Sequence, residues 1–270
     1  MKVLAVETAT SWQSVAIVEN DAVLARSDQD AGHAHGTLLL PAIDRLFVET
    51  GLRLTDLDGL ACSIGPGSFT GIRVGIATCL GLRMAGDLPL AVVPTLESMA
   101  WSVPSSGLPL CPVLNSRKGE LYWAVFRRTN GGQLERIVVE QVGTPEMLAG
   151  SLSEETLIFG EGWVSMESEI RSACSHDLTA SSGSADFIKP SAVAAAQLGA
   201  ARLRRGEIAD DRVMPLYVQR AEAEITFEQA GNVSPATRRQ ERVAAKAKQR
   251  SAKSGKGRGA GVQPGKSYGM

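Results

Sequence analysis

The order of short apolar runs and helical patterns is the feature that most restricts the fold of this chain, because the same order occurs twice. In the first half, three β-rich runs separated by tight turns predict an antiparallel meander. Helical and strand patterns then alternate. The predicted elements of this half are strands at 3–6, 15–18 and 23–24, a helix at 37–50 that stops at Gly51, a strand at 59–64, a helix at 70–85, a strand at 90–93 and a helix at 96–101.

The second half repeats this order. Its predicted elements are strands at 110–114, 121–126 and 134–142, a helix at 145–149, a strand at 157–159, a helix at 164–173, a brief strand at 187–188 and a last helix at 191–205 with Ser191 as its N-cap. Three antiparallel strands followed by alternating helices and strands predict a mixed sheet covered by helices. The chain therefore predicts an α/β protein of two similar β-β-β-α-β-α lobes, an order similar to that of the actin-like (ASKHA, ribonuclease-H-like) fold.

The charge is divided between an acidic body and a basic C-terminal segment. Residues 228–270 contain ten Lys and Arg against two Asp and Glu, a net charge of +8, whereas residues 1–227 have a net charge of −9. The basic segment has too few apolar residues to offset the entropy of ordering it. We therefore expect an N-terminal lobe at 1–103, a C-terminal lobe at 104–227 and a disordered basic tail at 228–270. Two interpretations of the tail stay open: a salt-dependent RNA contact, and a solubilising segment without a partner.

The cysteines and the hydropathy pattern indicate a reducing compartment and no membrane. The four cysteines form no CxxC pair, and Cys62 and Cys79 occupy apolar patterns typical of small buried side chains. No stretch of 18 apolar residues is present, and Glu7 interrupts the short apolar run at the start. We predict a cytoplasmic protein with no membrane partner.

A glycine-rich turn between a predicted strand and a predicted helix is the first candidate site. Gly65, Gly67 and Ser68 precede the second helix, where backbone N–H groups can bind a phosphate. No Lys follows the last glycine, so the phosphate-loop pattern is absent, and a tight turn with close packing is the simpler interpretation. Glu7 and Thr8 end the first strand, where actin-like enzymes hold the metal of bound ATP. These five residues are the candidates for a weak nucleotide contact, and one carboxylate predicts no independent ATP hydrolysis.

Small residues recur at three- and four-residue spacing along that second helix. They are Gly71, Gly75, Thr78 and Gly81. Each interior glycine costs roughly 1 kcal/mol relative to alanine, so the close approach of another element must offset them. That element is either the chain's own sheet or a helix of a partner. His33 and His35 are two residues apart, which is not the spacing of a helical metal pair.

Five segments resemble the TsaB (YeaZ) family. The longest, Ile64 to Gly75, reads IGPGSFTGIRVG and resembles the family's signature. The others are the opening strand at 3–10, the start of the first helix at 35–41, a turn between strands at 115–122 and a closing Pro-x-Tyr motif at 215–218. Three residues depart from the family's pattern: Glu7 and Asn115 replace aspartates, and Gln219 replaces an arginine.

The resemblance implies a partner role. TsaB-like proteins resemble and pair with TsaD, the subunit that transfers a threonylcarbamoyl group to adenosine 37 of tRNAs reading ANN codons, and the ATPase TsaE joins them. The resemblance also implies a homodimer through the same surface, and contact with tRNA that is indirect or made by the tail. It implies no catalytic residue, no metal and no cofactor of its own, with ATP or ADP at the partner interface. The expected interface residues are His35, Leu39, Ile43, Gly71, Arg73, Gly75, Thr78 and Gly81.

Two other functions stay open. One is an ATP-dependent enzyme on the actin-like fold, which needs phosphate loops in both lobes and a catalytic Asp. The other is a homologue of M22-type metallopeptidases, which needs a His and Glu metal cluster.

Overall fold

Each half of the chain forms one five-stranded mixed sheet. The computed structural model describes residues 1–104, 107–117, 119–180 and 189–218. The first half comprises β1 (Lys2–Glu7), β2 (Trp12–Glu19), β3 (Ala22–Asp30), α1 (His35–Thr50), β4 (Gly59–Ser63), α2 (Phe69–Gly86) and β5 (Leu90–Val93). Its strand order is β3-β2-β1-β4-β5, and β1 pairs antiparallel with β2 and parallel with β4.

The first half ends with α3 (Thr95–Ser102), and the second half repeats the arrangement of strands and helices. It comprises β6 (Leu110–Asn115), β7 (Leu121–Arg128), β8 (Leu134–Gly143), α4 (Pro145–Ser151), β9 (Thr156–Phe159), α5 (Glu161–Ala173), β10 (Leu178–Ala180) and α6 (Ala192–Arg204). The strand order is β10-β9-β6-β7-β8, in which β6 occupies the position that β1 has in the first sheet. β6 likewise pairs antiparallel with the strand that follows it and parallel with β9.

Side chains on β1 alternate between the two faces of the first sheet. Leu4 and Val6 belong to the apolar core on the side of α1 and α2, whereas Val3 and Ala5 pack beneath α6. All four are buried, as expected for a central strand of a sheet covered on both faces. This arrangement explains why β1 is an uninterrupted apolar run.

The two halves each contribute a helix to the other sheet. α3 follows the first sheet but packs in the core of the second, where Leu96 and Met99 contact the cluster that contains Leu110 and Phe126. α6 follows the second sheet but covers the first, with Ala195 in the cluster beneath it. The predicted division at residue 103 therefore separates the two sheets, but α3, on its N-terminal side, lies in the second core.

The predicted fold class and element order are confirmed across the described residues. Gly51 ends α1 with a φ of +68°. The Ser191 hydroxyl caps α6 by accepting a hydrogen bond from the Val193 N–H at 3.2 Å. The sequence predicts neither β10 nor the one-turn 3-10 helix Leu54–Asp56, because three residues are too few to show a periodicity.

Three predictions fall outside the described residues: the strand at 187–188, the replacement at Gln219 and the tail at 228–270. Within the described ranges, no helix combines the length and the hydropathy needed to cross a bilayer.

Candidate functional site

The glycine turn, residues 65–71, joins β4 to α2 and packs against the end of β1. A Cβ built on Gly65 would lie 2.8 Å from Ile72 Cδ1, and the φ of +105° is one that L side chains rarely adopt. A Cβ on Gly67 would overlap the carbonyl group of Ala9. The Ser68 N–H donates to that same Ala9 carbonyl oxygen at 2.6 Å. Glycine is therefore required here by close packing of the turn on its own strand.

The first two turns of α2 rest on Thr8. The Thr8 hydroxyl donates a hydrogen bond to the Gly71 carbonyl oxygen at 2.8 Å, and both groups are buried. A Cβ on Gly71 would overlap the Thr8 carbonyl oxygen, and a Cβ on Gly75 would overlap the Thr8 hydroxyl. Ser68 begins the helix by accepting a hydrogen bond from the Gly71 N–H at 3.2 Å.

Glu7 is completely buried at the end of β1. One carboxyl oxygen accepts a hydrogen bond from the Ala9 N–H at 2.6 Å, and the other has no hydrogen-bond partner among the described residues. Burial raises the pKa of the Glu7 carboxyl. The hydroxyls of Ser63 and Thr95 lie close enough to lower that pKa in part, without reaching hydrogen-bond geometry with the carboxyl.

The structure thus brings together all five residues predicted for a weak nucleotide contact. Glu7 and Thr8 are fully buried, and the Ser68 N–H and hydroxyl both bond within the protein. The glycine turn makes the contacts expected of a tight turn packed on its own strand. Contact with a nucleotide stays a prediction.

Asn115 ends β6 as Glu7 ends β1. Its side-chain oxygen accepts a hydrogen bond from the Ser165 hydroxyl at 2.6 Å, so the polar group at this strand end is bound to α5. Glu161 begins α5, and burial raises the pKa of its carboxyl. Across the described ranges, no three His, Cys, Asp or Glu side chains are grouped so that they could hold a metal ion.

α1 and α2 lie side by side on the first sheet, and their outer surface combines apolar and small side chains with the exposed charged side chains of Asp44, Arg45 and Glu49 on α1. We call this surface the α1–α2 face. The exposed fractions of its large apolar side chains are 57% for Leu40, 78% for Val48 and 83% for Met84. Besides Met84, α2 contributes small or cationic residues to this face: Arg73, Ala77, Thr78, Gly81 and Ala85.

The structure separates the eight predicted interface residues into two groups. Three lie on the α1–α2 face: Arg73, Thr78 and Gly81. The other five are buried within the chain itself: His35, Leu39, Ile43, Gly71 and Gly75. The apolar row of α1 that the sequence singled out is the row that packs on the sheet, so these five support the face from beneath.

A stacked group of two aromatic rings and one arginine extends the face at the start of α2. Arg73 lies over the Phe69 ring, with its guanidinium carbon 3.7 Å from the ring centroid. Its Nε donates to the Tyr217 hydroxyl at 2.8 Å, and the two rings are 5.2 Å apart. Sequence reasoning noted Tyr217 only as part of a closing motif. No local pattern could pair it with residues about 150 positions earlier.

Comparisons with known proteins agree with this description. A family model described as TsaD: tRNA N6-adenosine threonylcarbamoyltransferase matches residues 28–227. The TsaB protein of Escherichia coli strain K12 is 34% identical over 168 residues, covering 60% of this chain and 72% of that relative. A tRNA N6-adenosine threonylcarbamoyltransferase of Novosphingobium aromaticivorans is 42% identical over 72 residues, 27% of this chain and 21% of that relative. YeaZ from Pseudomonas aeruginosa superimposes with a TM-score of 0.68 at 26% identity, covering 80% of this chain and 99% of YeaZ.

The duplicated sheets, the exchanged helices and the matched family model define the class of protein. It is an α/β protein of two similar five-stranded sheets that acts in the synthesis of threonylcarbamoyladenosine in tRNA. The chain belongs to the TsaB (YeaZ) family, which confirms the family predicted from its sequence.

Proposed function

We propose that this chain is a non-catalytic accessory subunit that binds TsaD through the α1–α2 face. TsaE joins the pair, and the assembly transfers the threonylcarbamoyl group to adenosine 37 of tRNAs reading ANN codons. The α1–α2 face carries the proposal, because small residues of α2 lie beside exposed apolar side chains on both helices. The name of the Escherichia coli relative, tRNA threonylcarbamoyladenosine biosynthesis protein TsaB, supports the pathway.

Docking at the α1–α2 face is favoured by the exposed apolar area of the face and by its shape. Large apolar side chains that project from a helix are favourable to bury, at about 1.5–3 kcal/mol for each one fully covered. Leu40, Val48 and Met84 project in this way from neighbouring helices. The backbone of α2 is bare at Gly81, where a Cβ would meet no other atom within 4 Å. A partner helix can therefore approach α2 closely along the small residues and cover the apolar side chains at its edges.

A partner of the same fold agrees with the comparisons. The family model that matches most of this chain is described for a threonylcarbamoyltransferase, and one such enzyme shares 72 aligned residues with it. Two related subunits can pair through equivalent helices about a pseudo-two-fold axis, and two copies of one subunit can pair in the same way. Pairing with TsaD and self-association are therefore alternative uses of the α1–α2 face.

The accessory role is supported by the polar side chains at the ends of β1 and β6, because both are hydrogen-bonded within the protein. Glu7 is buried and bonds to the backbone of its own turn, and Asn115 bonds to Ser165. Neither side chain is presented to a substrate in the described structure. ATP or ADP at the partner interface belongs to the same proposal, since the glycine turn borders the α1–α2 face at Arg73.

Modification of tRNA with purified components tests the proposal. TsaD and TsaE from the same organism are combined with TsaC, the enzyme that makes the activated threonylcarbamoyl-adenylate, and with tRNA, threonine, bicarbonate and ATP, with and without this chain. We expect threonylcarbamoyladenosine to form at an appreciable rate only when the chain is present. The chain alone is expected to turn over neither ATP nor tRNA, and turnover by the single chain would contradict the accessory role.

A matched pair of variants tests the docking face. Met84→Arg places a charge on the α1–α2 face, at a side chain that is 83% exposed, whereas Val164→Arg places one on α5, at a side chain that is 61% exposed. Only Met84→Arg is expected to abolish co-elution with TsaD and the stimulation of tRNA modification. Equal binding by both variants would exclude this face as the interface.

A further inference from the structure

A cavity of about 430 Å³ opens on the first sheet, on the side opposite the α1–α2 face. Its walls come from the start of β2, the middle of β3, the end of α3 and the beginning of α6. We call it the Trp12 cavity; its main lining residues are Trp12, Arg26, Trp101, Lys189, Ser191 and Gln197. The volume falls within the range of about 300–1,000 Å³ that is usual for small-molecule sites.

Two half-buried indole rings form the aromatic part of the lining. The Lys189 ammonium lies 3.4 Å from the centroid of the Trp12 ring. The Trp101 N–H donates to the side-chain oxygen of Gln197 at 2.9 Å, which fixes the ring against α6. The other two tryptophans, Trp123 and Trp163, are buried in the second half of the chain. Half-exposed indoles in a concave site favour planar aromatic ligands, which stack on them.

The polar groups of the cavity are mostly hydrogen-bond donors. Across the described ranges, no carboxylate lies within 4 Å of the Lys189 ammonium, although its charge lowers the pKa of the Glu161 carboxyl in part. The oxygen of Gln197, a lining residue, accepts the Trp101 N–H, and its amide N–H groups are the remaining hydrogen-bonding groups of this side chain. Arg26 and Asp28 both line the cavity and pair at 3.5 Å, so their charges offset each other and Lys189 supplies the net positive charge of the lining. Such a lining favours a ligand that is rich in acceptors and negatively charged.

The cavity also receives the N-terminus of α6, a helix of 13 residues. Pro190 and Ser191 follow Lys189 directly, and all three residues line the cavity. The Ala192 N–H is fixed by the Ser14 hydroxyl at 2.9 Å, which ties this helix end to β2. Since the Val193 N–H is likewise bonded to the Ser191 hydroxyl, the helix acts on the cavity through its dipole, which has the same sign as the charge of Lys189.

We propose that the Trp12 cavity binds a nucleotide, with the base against the indole rings and the phosphate at Lys189 and the start of α6. A nucleotide joins a planar aromatic group to an anion rich in acceptors, and both halves of the lining match it. The ligand is either a free nucleotide or one nucleotide of single-stranded RNA, since the two share this chemistry. The proposal is independent of docking, because the Trp12 cavity and the α1–α2 face lie on opposite faces of the first sheet.

Tryptophan fluorescence provides the test, since all four tryptophans of the chain lie in the described residues and two line the cavity. The full chain is titrated with AMP, ATP, adenosine, inorganic phosphate and a single-stranded RNA tetramer, with excitation at the red edge of the indole band. AMP or ATP is expected to quench the emission saturably below about 5 mM. Adenosine is expected to bind at least tenfold more weakly, and inorganic phosphate to quench little. Quenching by RNA alone would identify RNA as the source of the nucleotide and would still support the site.

Two charge-removing variants make the test specific. Lys189→Gln removes the cation from the Trp12 ring, and we expect it to weaken nucleotide binding by about tenfold or more. Arg171→Gln is the matched control, because it removes a cation 4.8 Å from the centroid of the buried Trp163 ring, outside the cavity. Saturable quenching that Lys189→Gln leaves unchanged would overturn the proposal. So would the absence of quenching by any nucleotide or RNA, or an equal effect of inorganic phosphate.

Discussion

Two glycines of α2 differ in what surrounds them, although the sequence gives them the same spacing. A Cβ on Gly71 would overlap the Thr8 carbonyl oxygen, whereas a Cβ on Gly81 would meet no atom within 4 Å. Gly71 is buried and Gly81 is exposed. The first glycine is therefore required by the fold of the single chain, and the second is free to serve a surface role.

Alanine substitutions at these two glycines should change stability in opposite directions. Gly71→Ala forces the start of α2 away from Thr8 and is expected to lower the free energy of unfolding by about 1–3 kcal/mol. Gly81→Ala removes backbone freedom from the unfolded chain without a clash, so it should raise the free energy of unfolding by about 0.5–1 kcal/mol. Urea unfolding measures both. A destabilising Gly81→Ala, or a neutral Gly71→Ala, would show that the packing described here is incorrect.

Glu7 opposes folding at neutral pH because the fold buries it. Its pKa is raised, chiefly by burial, so the folded chain binds this proton more tightly than the unfolded chain does. The stabilising contribution of the protonated form is complete below the pKa of the unfolded chain. It is lost as the pH rises through the higher pKa of the folded chain. Above that window, Glu7 reduces the free energy of unfolding.

Glu7→Gln should therefore be more stable than the native chain near pH 8. The glutamine oxygen can still accept the Ala9 N–H, and its amide can donate toward Ser63 or Thr95 without a buried charge. The extra stability of Glu7→Gln should shrink as the pH falls toward 4.5, the ordinary pKa of a glutamate carboxyl. Thermal unfolding at several pH values measures it, with Glu49→Gln on the exposed side of α1 as the control. A variant less stable than the native chain at pH 8 would mean that its partners favour the carboxylate.

The sequence identifies these residues, but it does not show which of them face the core and which face solvent. Small residues at three- and four-residue spacing repeat around much of α2, so the spacing cannot say which of them face the sheet. Leu39 and Ile43 were assigned to the partner surface, although apolar residues of an amphipathic helix normally face their own core. The Trp12 cavity was not predicted at all, because its residues are distributed between positions 12 and 197.

At the scale of elements, α3 is joined to the second sheet by Arg128 of β7. One guanidinium nitrogen of Arg128 donates to three carbonyl oxygens at the end of α3, those of Ala100, Trp101 and Val103, at 3.3, 3.0 and 2.9 Å. Its guanidinium carbon also lies 5.1 Å from the centroid of the Trp101 ring. The Ala100 carbonyl oxygen also accepts the Val103 N–H at 3.4 Å, and Arg128 supplies the side-chain hydrogen bonds to all three carbonyls at the end of α3.

Arg128→Gln should weaken the attachment of α3 to the second sheet. The loss of several hydrogen bonds to half-buried carbonyls is expected to lower the free energy of unfolding by about 1–3 kcal/mol. The neighbouring Arg127 forms an exposed ion pair with Glu154, so Arg127→Gln should cost less than about 1 kcal/mol. Urea unfolding measures both variants, and a broader transition for Arg128→Gln would indicate that the two halves no longer unfold together. Equal losses for the two variants would argue against the role given to Arg128.

The order of elements could be predicted, but the exchange of α3 and α6 between the sheets could not. Periodicity identifies an amphipathic helix and the face that it buries, but not the element that covers this face. α6 illustrates the limit: its alanine-rich face fits any closely packed sheet, and Ala61 of β4 is in fact the residue nearest to Gly199. The contacts that assign each helix to its sheet join residues far apart in the sequence.

At the scale of the whole molecule, charge separates the described body from the C-terminal segment. Residues 1–227 have a net charge of −9, which should repel tRNA, whereas residues 228–270 have a net charge of +8. All the helices and strands given above end before residue 219. Removal of residues 228–270 should therefore leave the thermal unfolding temperature unchanged while it removes the cationic part of the chain.

The full chain should retain tRNA on a filter at low salt, and the chain shortened to residues 1–227 should retain much less. Each Lys or Arg that neutralises a phosphate releases counterions and contributes about 0.7–0.9 to the slope of log affinity against log salt concentration. The ten cationic residues of the segment are the source of this counterion release. Their deletion should therefore reduce the salt slope as well as the affinity for tRNA. A variant with the order of residues 228–270 scrambled keeps the charge and should bind as the native chain does, since counterion release does not depend on sequence. If the shortened chain keeps the native slope, the body must contact tRNA through a local cationic surface. If the scrambled variant fails to bind, the segment recognises RNA by its order of residues and not by its charge alone.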